Sequence, residues 1–231
     1  LVTGTFKVYR SFSESAEREK IKAQLQRDII TVTENIERDI RMSGLGLPGN
    51  GLAVSLSDSS SDSLMIFQNS SNASTRITSA VSGSHIRLLV ENGAVFNNAK
   101  WVCCKGSVVE YKKVARIGMN STGADTIYLS DPVGYTLTLG VDSLVYPADA
   151  IGYYIRSDSI SSLVRYHNGL SVALSNLIDT LNITPRDKGG NKLTASANAT
   201  LVSIVMGGRA GKSAKDPLIA DSTEVNIRNG F

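Results

Sequence analysis

The sequence has little of what usually carries chemistry. Two cysteines and two histidines stand among 231 residues, and charged residues make up only 19 %. The cysteines are neighbours, Cys103 and Cys104, and neighbours in a strand point to opposite faces. They cannot staple the domain, and a bridge between them would be strained. Their spacing suits no zinc site, so both read as small half-buried hydrophobes that bind no metal. Charge of one sign is also missing: 24 basic against 21 acidic residues leave a net +3, too small an excess for a dedicated nucleic-acid binder. No apolar run approaches the roughly 18 residues a bilayer span requires. The chain opens Leu1-Val2-Thr3-Gly4 with neither an initiator Met nor a signal peptide, as expected of a processed or truncated chain.

Ser, Thr, Asn and 20 Gly fill the polar remainder, beside 42 % hydrophobic residues. That composition excludes a coiled coil and charge-driven disorder, and points to β structure with many turns. The length suffices for a sizeable core.

The first segment differs from all that follows. Residues 13–41 contain neither Pro nor Gly, and Ile21, Leu25, Ile29, Val32, Ile36 and Ile40 recur at steps of 4, 4, 3, 4 and 4. That spacing draws one stripe along an α-helix. Glu14, Glu17 and Glu19 come early and Arg38 and Arg41 late, an order that suits the helix dipole. The Gly-rich stretch at 43–49 stops it. A helix of about 35 residues would run about 50 Å, longer than one sheet of short strands covers. We therefore expect Ile29, Val32, Ile36 and Ile40 to pack on a sheet. Phe6, Val8, Tyr9 and Phe12, farther up the chain, are expected to project and meet a partner.

After Pro48 the pattern changes to short strands between turn residues. Expected strands cover 64–68, 86–91, 101–104, 107–117, 126–130, 151–156, 162–166, 177–184, 200–206 and 223–228, with a turn of helix over 172–176. The expected organisation is a helix over 1–48, with its leading part protruding and its trailing part packed. An antiparallel β domain follows over 49–231. Together these make an α+β protein with one long N-terminal helix packed on antiparallel β-sheet.

Constellations for catalysis do not assemble. His85 and His167 read as surface or turn histidines rather than general bases. There is no Gly-x-Ser-x-Gly elbow. Gly207 to Ser213 spells a glycine-rich loop ending in Gly-Lys-Ser, but the glycine a phosphate loop needs at position 206 is Met206, and Pro217 follows instead of a helix. Asp58 and Asp62 bracket a serine-rich loop without the glycine and acid of a calcium loop. We expect no catalytic, cofactor or metal site, no nucleic-acid partner and no small-molecule substrate.

One family does come into view. Glu37-Arg38-Asp39-Ile40-Arg41-Met42-Ser43-Gly44 resembles the end of the first helix in PilW-type minor pilins and GspJ-type minor pseudopilins of type II secretion. The opening Leu1 to Tyr9 resembles the end of their hydrophobic N-terminal segment. Ala150 to Ile155 followed by Leu163-Val164-Arg165-Tyr166 resembles the family's paired strands, with Val-Arg-Tyr where the family has a Leu-Tyr-Arg-like order. Thr200 to Arg209 and then Val225 to Asn229 resemble its closing hairpin. The family's Phe-Thr-Leu-x-Glu start is absent and would lie upstream of Leu1.

The resemblance implies a pilin-like α+β fold and structural work without catalysis. Such a subunit is held in the inner membrane by the N-terminal segment, with a periplasmic domain. It then joins other minor pilins or pseudopilins and the major pilin in the tip or priming complex of a type IV pilus or secretion pseudopilus. Phe6, Val8, Tyr9 and Phe12 would then make the filament contacts. A secreted or periplasmic β-rich binding module, adhesin-like, is the alternative; a periplasmic enzyme would need a constellation the sequence does not assemble.

Overall fold

The unbroken stripe becomes one helix, α1 (Val2–Arg41), 40 residues long and about 60 Å from end to end. The computed structural model describes residues 2–55, 62–120, 124–134, 137–158, 161–209 and 218–227. Leu25, Ile29, Val32, Ile36 and Ile40 are at most 3 % exposed, and each such burial contributes about 1.5–3 kcal/mol. The helix ends where Gly44 turns left-handed at φ +70° and its N–H leaves the helix for the carbonyl of Phe67 at 2.9 Å. A glycine in that position reverses the chain at little steric cost and hands it to the sheet.

Fifteen strands follow among the described residues. They are β1 (Leu52–Ser55), β2 (Ser63–Gln68), β3 (Thr75–Arg76), β4 (Val81–Ser82), β5 (Arg87–Val90), β6 (Trp101–Lys105), β7 (Val109–Gly118) and β8 (Asp125–Leu129). Then come β9 (Thr138–Leu139), β10 (Leu144–Ser157), β11 (Ser161–His167), β12 (Leu170–Ser175), β13 (Ile178–Arg186), β14 (Leu201–Arg209) and β15 (Leu218–Asn226). One sheet of ten strands runs β1-β2-β10-β6-β7-β8-β5, with β11, β12 and β3 joined through β10. A second sheet orders β13-β14-β15, and β4 pairs with β9. Every pairing is antiparallel.

The long strand β10 is the spine. Its second half pairs with β2 and β11 and turns Ile151 and Tyr153 toward the helix. Its first half pairs with β6 and β3 and turns Val145 into a different core. The first core joins the helix stripe to Leu64, Ile66 and Leu163 of the large sheet and to Leu181, Ile183, Val202, Ile204 and Met206 of the small one. In the second core Val81, Leu88, Val90, Phe96, Val102, Cys104, Ile127 and Val145 pack together, with no α-helical residue among them.

That second core corrects the expected class. Among the described residues fifteen strands stand against one α-helix, and the protein is a β-rich fold rather than a pilin-like helix-on-sheet α+β. The helix stripe drew the expectation, because its period is local and strong. The strands of 77–145 earn their burial only by pairing with one another. Two local expectations also change. The segment expected to hold a helical turn at 172–176 lies largely in β12, reached through a two-residue hairpin in which Asn168 and Gly169 both have positive φ. Gly207 and Gly208, expected to open a loop, belong to β14, and a Cβ at Gly208 would meet the Leu177 carbonyl and, at 3.1 Å, the Leu25 side chain. The rest of that basic loop, 210–217, the serine-rich stretch 56–61, and Arg228 with Asn229 lie outside the described residues.

Candidate functional site

The trailing half of α1 is locked by acids as well as by its stripe. Asp39, 6 % exposed, accepts the Tyr153 hydroxyl proton at 2.6 Å and two N–H bonds of Arg165 at 2.9 and 3.2 Å. Tyr153 and Arg165 face each other across β10 and β11, so one carboxylate ties the helix to two strands. Burial first, and then the bond to Asp39, pushes the Tyr153 phenol well above its ordinary value. Asp28 takes a 2.6 Å bond from Ser175 of β12, and Glu37 takes one of 2.6 Å from Thr223 of β15. Sequence reasoning missed this clasp. A helical signal for it existed: at 100° per residue Asp39 falls roughly 60° from the centre of the buried stripe.

The leading half has no such ties among its described side chains. Phe6, Val8, Tyr9 and Phe12 are 74, 68, 78 and 77 % exposed. Their placement on the helix matters as much as their exposure. Projected down the axis at 100° per residue, they span an arc centred roughly 150° away from the stripe of Leu25 to Ile40. They therefore face nearly opposite to the surface that meets the sheets, and no bend of the helix toward its own strands would bury them as a group. Ile30, 54 % exposed, lies on the Phe12 side of the helix. Val8 and Phe12, with Ser11 and Ser15, line a shallow open depression along the helix. A second apolar arc of this kind, left bare on the side away from the buried stripe, is the surface feature among the described residues that most resembles a docking site.

Chemistry elsewhere is sparse. Cys103 and Cys104 are both free thiols and both buried. Burial pushes the Cys103 thiol up to about 12 and the Cys104 thiol higher still, so neither is a ready nucleophile at neutral pH. They do point to opposite sides: Cys104 enters the second core, while Cys103 lies against Tyr111. His85 and His167 are exposed and separate. Among the described residues no three His, Cys, Asp or Glu side chains come together as a metal cage, and no described helix is long and apolar enough to cross a membrane.

No family model, no curated protein and no solved structure matches the chain.

Proposed function

We propose that the chain is a structural subunit without catalytic activity, a β-rich head carried on a helix that docks its leading end among helices of neighbouring subunits. The specific form is a minor pilin or pseudopilin, starting at the inner membrane and taken into the tip or priming complex of a type IV pilus or type II secretion pseudopilus. One observation carries it: Phe6, Val8, Tyr9 and Phe12 are all more than two-thirds exposed and face away from the surface that holds the helix to its own strands. Large apolar side chains on a helix arc are the anchors by which helices recognise one another. The resemblance of residues 37–44 to the end of a pilin helix adds the class of partner.

The test is a photo-crosslinking amino acid at Tyr9 and, separately, at the exposed face of the head at Val141, in cells that assemble the filament. Crosslinks from position 9 to other pilin-type subunits, with none from position 141, are expected. A triple variant Phe6→Glu, Tyr9→Glu, Phe12→Glu should abolish incorporation while the full variant chain keeps the wild-type urea midpoint. Incorporation that survives the triple variant would overturn the proposal.

A further inference from the structure

Away from the helix, three side chains line up across neighbouring strands. Register places Arg87 of β5 and Arg116 of β7 on either side of Tyr128 of β8. The Arg116 guanidinium sits over the Tyr128 ring, 3.5 Å from its centroid, a cation–π contact that holds it in place. Neither arginine has an ion-pair or hydrogen-bond partner among the described residues. The nearest acid along β8, Asp125, pairs at the parity of buried Val90, and its carboxylate is already engaged by the N–H groups of Asn120 and Gly93 at 2.7 Å. The row therefore presents two uncompensated cations around one aromatic ring.

The same row borders a cavity of about 300 Å³ lined by Ser79, Ala80, His85, Arg87, Thr126 and Tyr128 among others. Its wall forms where the chain after Thr78, still bonded to Leu89, peels away from β5 toward β4. The volume is at the small end of ligand clefts, which run about 300–1,000 Å³, and suits a single ring rather than an extended chain. Its lining mixes three chemistries. Arg87 offers a planar fork for a carboxylate, Ser79 and Thr126 offer hydroxyls, and Ala80, Leu89 and the Tyr128 ring offer apolar contact. A neutral apolar ligand would leave the cations unused, and a bare inorganic anion, although the hydroxyls can donate to it, would leave the apolar patches unused.

We propose that this cavity binds an acidic saccharide, with Arg87 pairing the carboxylate, Thr126 and Ser79 taking ring hydroxyls, and Arg116 fixing Tyr128 and adding positive potential. This site is independent of the docking helix and stands or falls separately from the filament role.

The experiment is a titration of the 231-residue chain, followed by amide NMR shifts of β5 and β8, with galacturonic acid, galactose and sodium sulfate at constant ionic strength. Galacturonic acid should saturate in the millimolar range, and galactose should bind at least about tenfold more weakly. Arg87→Ala should weaken galacturonic acid about tenfold or more, as loss of a charged bidentate bond does, and Thr126→Val a few-fold. Both positions lie on the outer sheet face, and a wild-type urea midpoint for each variant shows the fold intact. Absence of saturation up to about 50 mM, or an Arg87→Ala variant that binds as before, would overturn the site. Sulfate binding as tightly as galacturonic acid, with Thr126→Val silent, would reduce it to an anion patch and overturn the saccharide assignment.

Discussion

Replacing Asp39 by Ala should loosen the helix from the head more than any other single polar change. The carboxylate is 8 % exposed at its side chain and Arg165 28 %, so the pair is largely, though not wholly, out of water. Deleting one partner of a fully buried pair costs about 3–5 kcal/mol, because the other charge is stranded. Arg165 keeps some access to solvent, which recovers part of that penalty. We expect a loss of about 2–3 kcal/mol for Asp39→Ala, and a fall in Tm of about 5–10 °C for a chain of this size. Tyr153→Phe should cost about 1.5–3 kcal/mol, because the hydroxyl both donates to Asp39 and accepts from Arg165 Nε at 3.1 Å. Trp101, the single tryptophan, packs edge-on to Phe67 at 5.3 Å and reports urea unfolding by fluorescence. The decisive comparison is the double variant Asp39→Ala, Arg165→Met. Removing both charges strands neither, so its cost should fall short of the summed single costs by about 1.5–2.5 kcal/mol. Strict additivity within about 0.5 kcal/mol would refute the clasp.

Two further outcomes follow from burial. Ile36→Ala, at a fully buried position, should lower stability by about 2–5 kcal/mol, whereas Phe12→Ala, 77 % exposed, should leave the urea midpoint unchanged; equal shifts would dissolve the distinction between the two halves of the helix. Stability should also fall at alkaline pH. The Cys103 thiol is pushed by burial from 9.0 to about 12, and burial likewise raises the Tyr111 and Tyr153 phenols. The folded chain holds these protons more tightly than the unfolded chain, so their contribution is complete below about pH 9 and is lost as pH climbs through 12. Cys103→Val should flatten the decline of the urea midpoint between those limits, and an unchanged slope would count against the assignment.

Legibility in the sequence tracked the range of the contacts. The stripe from Leu25 to Ile40 was readable because helical period is local, and the strand expected at 151–156 was readable for the same reason, since Ile151, Tyr153 and Ile155 alternate with other residues over a short window. The strand β12 hid behind a signal that was present: Asn168-Gly169 between two alternating runs marks a two-residue hairpin. The second core was unreadable, because Cys104 meets Val145 and Leu88 meets Ile127 only through pairings that no short window contains. The two-residue strands β3, β4 and β9 carry no period at all. At the candidate docking surface, Phe6 to Phe12 were visible as apolar residues, but their orientation emerges only when their arc is compared with the buried one. The row Arg87, Tyr128 and Arg116 depends on cross-strand register, and β7 slips register between Val114 and Arg116, which alternation counted from sequence does not foresee.

The manner in which the helix is fastened sets how the molecule bears force. The described side chains of its leading end are exposed, while Asp28, Glu37, Asp39 and the isoleucine stripe grip the trailing half, along two sheets at once. A pull on the leading end along the axis therefore arrives as shear, loading the stripe and the three acid contacts together instead of peeling them apart one after another. Sideways force on the same end does the opposite: with the first turns unsupported, the helix becomes a lever whose fulcrum lies near Leu25, where Gly208 lets it sit close against β14. The head should thus resist axial tension far better than bending, and its first point of yield under bending is the contact between Leu25 and β14.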